Sequence, residues 1–135
     1  MKVLIVEDEQ IAQELLKGFL EAYDAVWQVA ANGVQGVAAF KEALAGGEPF
    51  DLILLDIMMP QMDGQQALRE IRHFEAEQGI GGTDMVKIAM VTALSDAKSV
   101  MEALVKGSCE AYLTKPVYPQ QLHRVLVDFG LVESE

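Results

Sequence analysis

The sequence predicts an α/β domain, a parallel sheet of five strands with helices on both faces. Three observations carry that prediction. Short apolar runs alternate five times with longer amphipathic stretches, which is the pattern of repeated strand–helix units. Three of the runs are nearly unbroken in their apolar character, as strands covered on both faces are. The whole pattern fits within 135 residues, the size of one ordinary domain, and 51% apolar residues suits a packed core.

The elements follow in chain order. Val3-Leu4-Ile5-Val6 is the first buried run. Ile11, Leu15, Leu16, Phe19 and Leu20 then recur at helical spacing, with Gln13, Glu14 and Lys17 on the other face. Ala25 to Ala30 reads as a second strand. Val34, Val37, Ala38 and Leu44 mark a second helix that Gly46-Gly47 ends. Leu52 to Leu55 is a third strand, and Asp63 to about Glu77, with Leu68 and Ile71 on one face, a third helix. A glycine-rich loop spans Gly79 to Asp84. Val86 to Val91 is the fourth strand, Ala97 to Val105 the fourth helix, and Cys109 to Thr114 the fifth strand. Leu122, Val125, Leu126 and Phe129 mark the last helix. The domain is expected to fill 1–130, with 131–135 a short tail and no output domain.

Composition narrows the function classes. The longest nearly continuous apolar run, Leu52 to Pro60, is interrupted by Asp56 and falls far short of a membrane span. The apolar stretch after Met1 is too brief for a signal peptide. Cys109 is the single cysteine, so no internal disulfide can form and a reducing cytoplasm is the expected compartment. A formal charge of −11 repels nucleic acid and anionic membrane, so neither is expected as a direct partner.

In a parallel α/β sheet, ligands bind beyond the carboxyl ends of the strands. Strand one ends in Glu7-Asp8-Glu9, strand three in Asp56, strand four in Thr92 and strand five in Thr114-Lys115-Pro116. Parallel geometry brings these distant residues to one edge. Clustered carboxylates repel, and a hard divalent cation relieves the repulsion. Lys115 offers a compact positive charge for a phosphoryl oxygen, and Thr92 a hydroxyl donor. A carboxylate can itself accept a phosphoryl group as an aspartyl-phosphate.

Each residue also has a plain structural reading. The acids at 7–9 suit a helix start. Thr92 suits an N-cap, although Ser95 fits that position better. Lys115 suits an open surface. Asp56 alone resists such a reading, because it interrupts Leu52-Ile53-Leu54-Leu55 and Ile57-Met58-Met59. Met58, Met59 and Met62 read as packing and loop residues. Trp27 reads as partly buried, His73 and His123 as helix-surface residues, and Cys109 as a small buried residue.

These residues resemble the bacterial response-regulator receiver domains of two-component signalling, from Lys2 to about Phe129. Leu54-Leu55-Asp56-Ile57-Met58-Met59-Pro60-Gln61-Met62-Asp63-Gly64 is similar throughout to the family's phosphorylation-site signature. Val6-Glu7-Asp8-Glu9 resembles its acidic pair, with Glu7 where aspartate is commoner. Val91-Thr92-Ala93 and Tyr112-Leu113-Thr114-Lys115-Pro116 resemble its hydroxyl, switch-aromatic and lysine motifs.

The resemblance implies a flavodoxin-like, doubly wound sheet in the order 2-1-3-4-5 with five helices. It implies that Asp56 is the phosphoacceptor. Asp8, Asp56 and the backbone carbonyl of Met58 would hold Mg²⁺ (or Mn²⁺), with Glu7 acting mainly through water. Lys115 and Thr92 would contact the phosphoryl group, Thr92 and Tyr112 would form the switch, and the bond before Pro116 would be cis. A sensor histidine kinase or histidine phosphotransfer protein would supply the group. Helix four, strand five and helix five would present the response to a downstream protein, as a monomer or a phosphorylation-dependent dimer. The chain would catalyse only its own phosphoryl uptake and a slow self-dephosphorylation, because Met58 and Leu94 cannot orient water.

A phosphorelay intermediate that passes the group onward is the alternative within this class. An aspartyl-phosphate hydrolase of the haloacid-dehalogenase type would need a second acid where Met58 stands. A nucleotide or flavin carrier would need a phosphate-binding glycine loop, and Glu7-Asp8-Glu9 occupies that place.

Overall fold

A computed structural model of the chain describes residues 1–133, so the end of the expected 131–135 tail lies outside the described residues. The strands are β1 (Lys2–Val6), β2 (Val26–Ala30), β3 (Leu52–Leu55), β4 (Lys87–Thr92) and β5 (Ala111–Thr114). The helices are α1 (Gln10–Glu21), α2 (Gly33–Ala45), α3 (Gly64–Glu77), α4 (Ala97–Met101) and α5 (Pro119–Asp128). The sheet runs β2-β1-β3-β4-β5 with every pairing parallel, which is the order and class expected. None of the helices among the described residues is long and apolar enough to cross a membrane.

Side-chain alternation along the strands builds two cores. Val3, Ile5, Leu52, Leu54, Ala89 and Val91 face Leu16 and Leu20 of α1 and Leu122, Val125 and Leu126 of α5. Leu4, Ile53, Leu55, Ile88 and Met90 face Phe40 of α2 and Leu68 and Ile71 of α3. Leu4, Ile5, Leu52 and Ile53 are fully buried, and each such side chain stabilises the fold by about 1.5–3 kcal/mol. The central strands are therefore apolar on both faces, which is why they read as unbroken runs.

Several boundaries differ from expectation for identifiable reasons. β4 starts at Lys87, because the Val86 N–H is taken by Glu75 Oε2 at 2.8 Å instead of a neighbouring strand. β5 starts at Ala111, because Cys109 donates its N–H to the Ala103 carbonyl and closes the preceding helix. β2 starts at Val26, whose N–H meets the Met1 carbonyl at 2.9 Å. α3 starts at Gly64, since Asp63 is its cap and accepts from the Gln66 N–H. The cap of α4 is Asp96 rather than Ser95. Its carboxylate accepts from both the N–H and the hydroxyl of Ser99, each at 3.0 Å, and these bonds hold the carboxyl below its ordinary range. The fourth helix also changes character: α4 stops at Met101 and continues as a π-helical stretch, Glu102–Lys106.

An ion network far from the strands' carboxyl ends secures α3. Arg72 donates to Glu75 at 2.7 Å and to Glu110 at 2.8 Å. Glu75 and Glu110 accept in turn from the N–H groups of Val86 and Ile88. Both carboxylates thus secure the start of β4, and Glu75, buried, is paired with Arg72, which is the condition under which burial of charge is tolerated.

Candidate functional site

Strand register aligns the site before any side chain is considered. Val6 lies beside Leu55, Leu55 beside Met90, and Thr92 beside Thr114. Glu7, Asp56 and Lys115 directly follow Val6, Leu55 and Thr114, and Thr92 ends β4, so all four come to the same edge. The Asp56 N–H continues the ladder to the Val6 carbonyl at 3.0 Å, and the Lys115 N–H reaches the Thr92 carbonyl at 2.7 Å.

Carboxylate oxygens of Glu7, Asp8 and Asp56 lie within 4.8 Å of one another. Glu7 is 1% exposed and Asp56 4% exposed, whereas Asp8 faces solvent. Lys115 Nζ lies 2.6 Å from Glu7 Oε1 and 3.2 Å from Asp56 Oδ2. Glu7 is therefore not a solvated acid at a helix start, and its direct partner is an ammonium. Its second oxygen accepts from the Glu9 N–H at 3.1 Å.

Burial raises the Glu7 carboxyl above its ordinary value, and the Asp56 charge adds to that, while Lys115 and the Glu9 N–H pull the other way. Burial alone would lower the Lys115 ammonium. The Glu7 hydrogen bond and the two negative charges outweigh it, so its affinity for the proton is raised. The two directions agree physically, because one cation serves two acids: Lys115 is well compensated, and Glu7 shares its partner with Asp56.

The loop after Asp56 is held close. Gly64 N–H donates to the Ile57 carbonyl at 2.8 Å, and a Cβ at Gly64 would overlap the Asp56 carbonyl. Only glycine permits that approach. Met58 donates its N–H toward Asp56 Oδ1 over a long 3.4 Å, while its side chain is exposed. An open hollow of about 470 Å³ outside the acids is lined by Asp8, Met58, Met59, Pro60 and Leu94 among others.

Thr92 is fully buried at the end of β4, and its Oγ1 accepts weakly from the Leu94 N–H at 3.4 Å. The half-buried Tyr112 donates its hydroxyl to the Leu94 carbonyl at 2.7 Å. The Lys115–Pro116 bond is cis. All the residues singled out from the strand ends thus lie on one edge, and Lys115 bridges two of the three acids. The acids supply hard oxygen donors, a set that fits Mg²⁺ or Mn²⁺.

Sequence reading passed over other polar contacts. Gln65, 6% exposed, reaches from α3 to α4. Gln65, Leu68, Ile71 and Glu75 are all buried and follow one another at helical spacing, so a polar residue at each end of an apolar stripe was the available signal. His123 has a partner after all. Tyr23 lies 2.9 Å from its Nδ1, with the two rings stacked, and a separation of 100 positions hides the pair from any local pattern. Trp27 is half-buried, His73 exposed and Cys109 buried, as read.

Residues 3–127 match the family model for the response regulator receiver domain. The osmolarity two-component system protein SSK1 of Saccharomyces cerevisiae is 32% identical over 99% of this chain. Response regulator sskA of Aspergillus fumigatus is 37% identical over 85% of it. The chain spans only 21% and 12% of those two proteins. Fungal receivers thus stand among its relatives, so the resemblance is not a bacterial one alone. The co-crystal structure of the S. cerevisiae histidine phosphotransfer protein Ypd1 with the receiver domain of its downstream response regulator Ssk1 matches at TM-score 0.84 and 35% identity, covering 96% of this chain and 88% of that one. The receiver domain of sensor histidine kinase PA1611 from Pseudomonas aeruginosa, with a magnesium ion coordinated in its active-site cleft, matches at TM-score 0.76 and 26% identity, covering 95% of each chain.

Proposed function

The chain belongs to the response regulator receiver domains, and from that premise we propose that it accepts a phosphoryl group on Asp56 in a two-component phosphorelay. The observation that carries this is a buried Asp56 facing the Lys115 ammonium at 3.2 Å, with two further carboxylates beside it.

The reaction is a displacement at phosphorus. An Asp56 carboxylate oxygen forms the new P–O bond as the donor's P–N bond breaks. The bonding pair leaves with the donor imidazole, which takes up a proton. Lys115 holds its charge where the phosphoryl oxygens arrive, and positioning with charge neutralisation supplies most of such catalysis. Asp8, Asp56, the Met58 carbonyl and, through water, Glu7 would hold Mg²⁺ (or Mn²⁺), which supplies further positive charge against the incoming oxygens. No separate substrate is turned over.

The added group brings about −1.5 to −2 charges and strong acceptor oxygens. Those oxygens favour a Thr92 hydroxyl turned toward them, and Tyr112, tied to the Leu94 carbonyl two residues on, follows the same loop. The pair would shift an existing equilibrium rather than create a new state. Exposed Met101, Leu104 and Val105 on the fourth helix support a downstream protein contact there, shared with β5 and α5, by a monomer or a phosphorylation-dependent dimer. The likeness to a receiver crystallised with a histidine phosphotransfer protein supports such a protein, or a sensor histidine kinase, as donor. The single cysteine supports a cytoplasmic setting.

The test is incubation with Mg²⁺ and acetyl phosphate, followed by intact-mass measurement. One added phosphoryl group is expected, and Asp56→Asn should remove it. Labelling that persists in Asp56→Asn sinks the assignment.

A further inference from the structure

We propose that Gln65 is a positioning residue that passes a change at Asp56 to the fourth helix. The inference rests on phosphoacceptance at Asp56 and extends it to a side chain outside the phosphosite.

The path begins at the phosphosite backbone. Gly64 is pressed against the Asp56 carbonyl and bonded to the Ile57 carbonyl, so the first turn of α3 has no slack relative to Asp56. Gln65 is the next residue. Its Nε2 donates to the Ser99 carbonyl in α4 at 2.9 Å, across 34 positions of sequence. The first turns of the two helices are thereby joined by a buried amide rather than by apolar packing alone.

The target of that bond is a helix with two hydrogen-bonding registers. Val100 N–H meets the Asp96 carbonyl at i→i+4, whereas Gly107 N–H meets the Glu102 carbonyl at i→i+5, 2.8 Å away. A π-helical turn marks a place where backbone register changes, and such turns are frequent at functional sites. Gln65 takes hold three residues before that stretch.

The amide is also half satisfied. Gln65 Oε1 is buried and has no hydrogen-bond partner among the described residues. A buried acceptor left unpaired is costly, and a methionine of similar size would fill the same space without that cost. A purely structural contact is thus poorly served by glutamine. A contact that moves between two arrangements is well served, because a shift of α4 that brings a donor to Oε1 is rewarded. The ion pair nearby, Arg69 to Glu102 at 2.9 Å, joins α3 to the π-helical stretch that continues α4 but is far more exposed, so it is the natural control.

Beryllium fluoride with Mg²⁺ serves as the probe, and hydrogen exchange over 97–107, read by mass spectrometry, as the response. In the wild type the probe should alter exchange there. In Gln65→Met the probe should still bind, the melting temperature should be no lower than wild type, and most of the exchange response should be lost. Arg69→Ala should keep the response. Should Gln65→Met fail to fold, Gln65→Asn, which keeps the amide but shortens its reach, should show the same loss. A full response in Gln65→Met, or in Gln65→Asn where that variant stands in for it, overturns the inference and leaves the role of Asp56 intact. Failure of the wild type to bind beryllium fluoride overturns the reading of Asp56 and this inference with it.

Discussion

Replacing Lys115 by methionine removes a cation that faces two buried carboxylates while nearly preserving volume. Nζ lies 2.6 Å from Glu7 and 3.2 Å from Asp56, whose side chains are 1% and 5% exposed. Removing one partner of a fully buried pair costs about 3–5 kcal/mol. The Lys115 side chain is 23% exposed, so water reaches the site, and the smaller figure of about 2–3 kcal/mol is expected here. For a domain of this size that corresponds to a fall in Tm of roughly 6–15 °C. Thermal unfolding followed by circular dichroism in EDTA reads it directly. The deficit should shrink as pH falls, because a protonated carboxyl no longer needs the ammonium, and burial already raises the affinity of the Glu7 carboxyl for the proton. It should shrink again on adding Mg²⁺. Glu7→Gln combined with Lys115→Met should recover much of the loss, since the buried Asp56 then faces only the solvent-exposed Asp8 carboxylate. A Lys115→Met variant in EDTA within about 0.5 kcal/mol of wild type, the range of an ordinary surface change, would refute the claim that Lys115 holds the two acids together.

Glu75→Gln should destabilise by about 2–4 kcal/mol in urea unfolding, because the new NH₂ must face either Arg72 or the Val86 N–H, both donors. A loss below about 0.5 kcal/mol would show that the network does not secure β4. Met58 and Leu94, at the mouth of the site, carry no group that can orient water, so phosphoryl decay with Mg²⁺ present should be slow, and decay within seconds by radiolabel loss would count against this. Burial pushes the Cys109 thiol from 9.0 up to about 11, which cuts its thiolate fraction near pH 8 by about 100-fold. Iodoacetamide should accordingly modify it far more slowly in the folded chain than in urea, with the rate still rising above pH 9, and equal rates in the two states would refute the burial argument.

The elements were legible because their signals are local. Leu52-Ile53-Leu54-Leu55 is a short, wholly apolar run that suits a strand covered on both faces, and the Ile11-to-Leu20 spacing suits one apolar face of a helix. The motif around Asp56 was equally legible, since each residue there keeps its place relative to its neighbours. Misplacements fell where a distant group competes for the backbone. Glu75 captured the Val86 N–H and moved the start of β4, Ala103 captured Cys109 and delayed β5, and Asp96 displaced Ser95 as cap by offering a charged acceptor.

By itself, then, the sequence determined the strand and helix runs and the set of residues at the strand ends. It did so through periodicity and motif, both of which act over a few residues. Tertiary structure decided how those residues pair. Only the folded sheet puts Lys115 closer to Glu7 than to Asp56, across 108 and 59 positions of chain. Only the packing of α3 on the fourth helix turns Gln65 into a buried link with one end unsatisfied. Charge, burial and hydrogen bonding act through space, and a linear pattern carries no record of which distant partner will arrive.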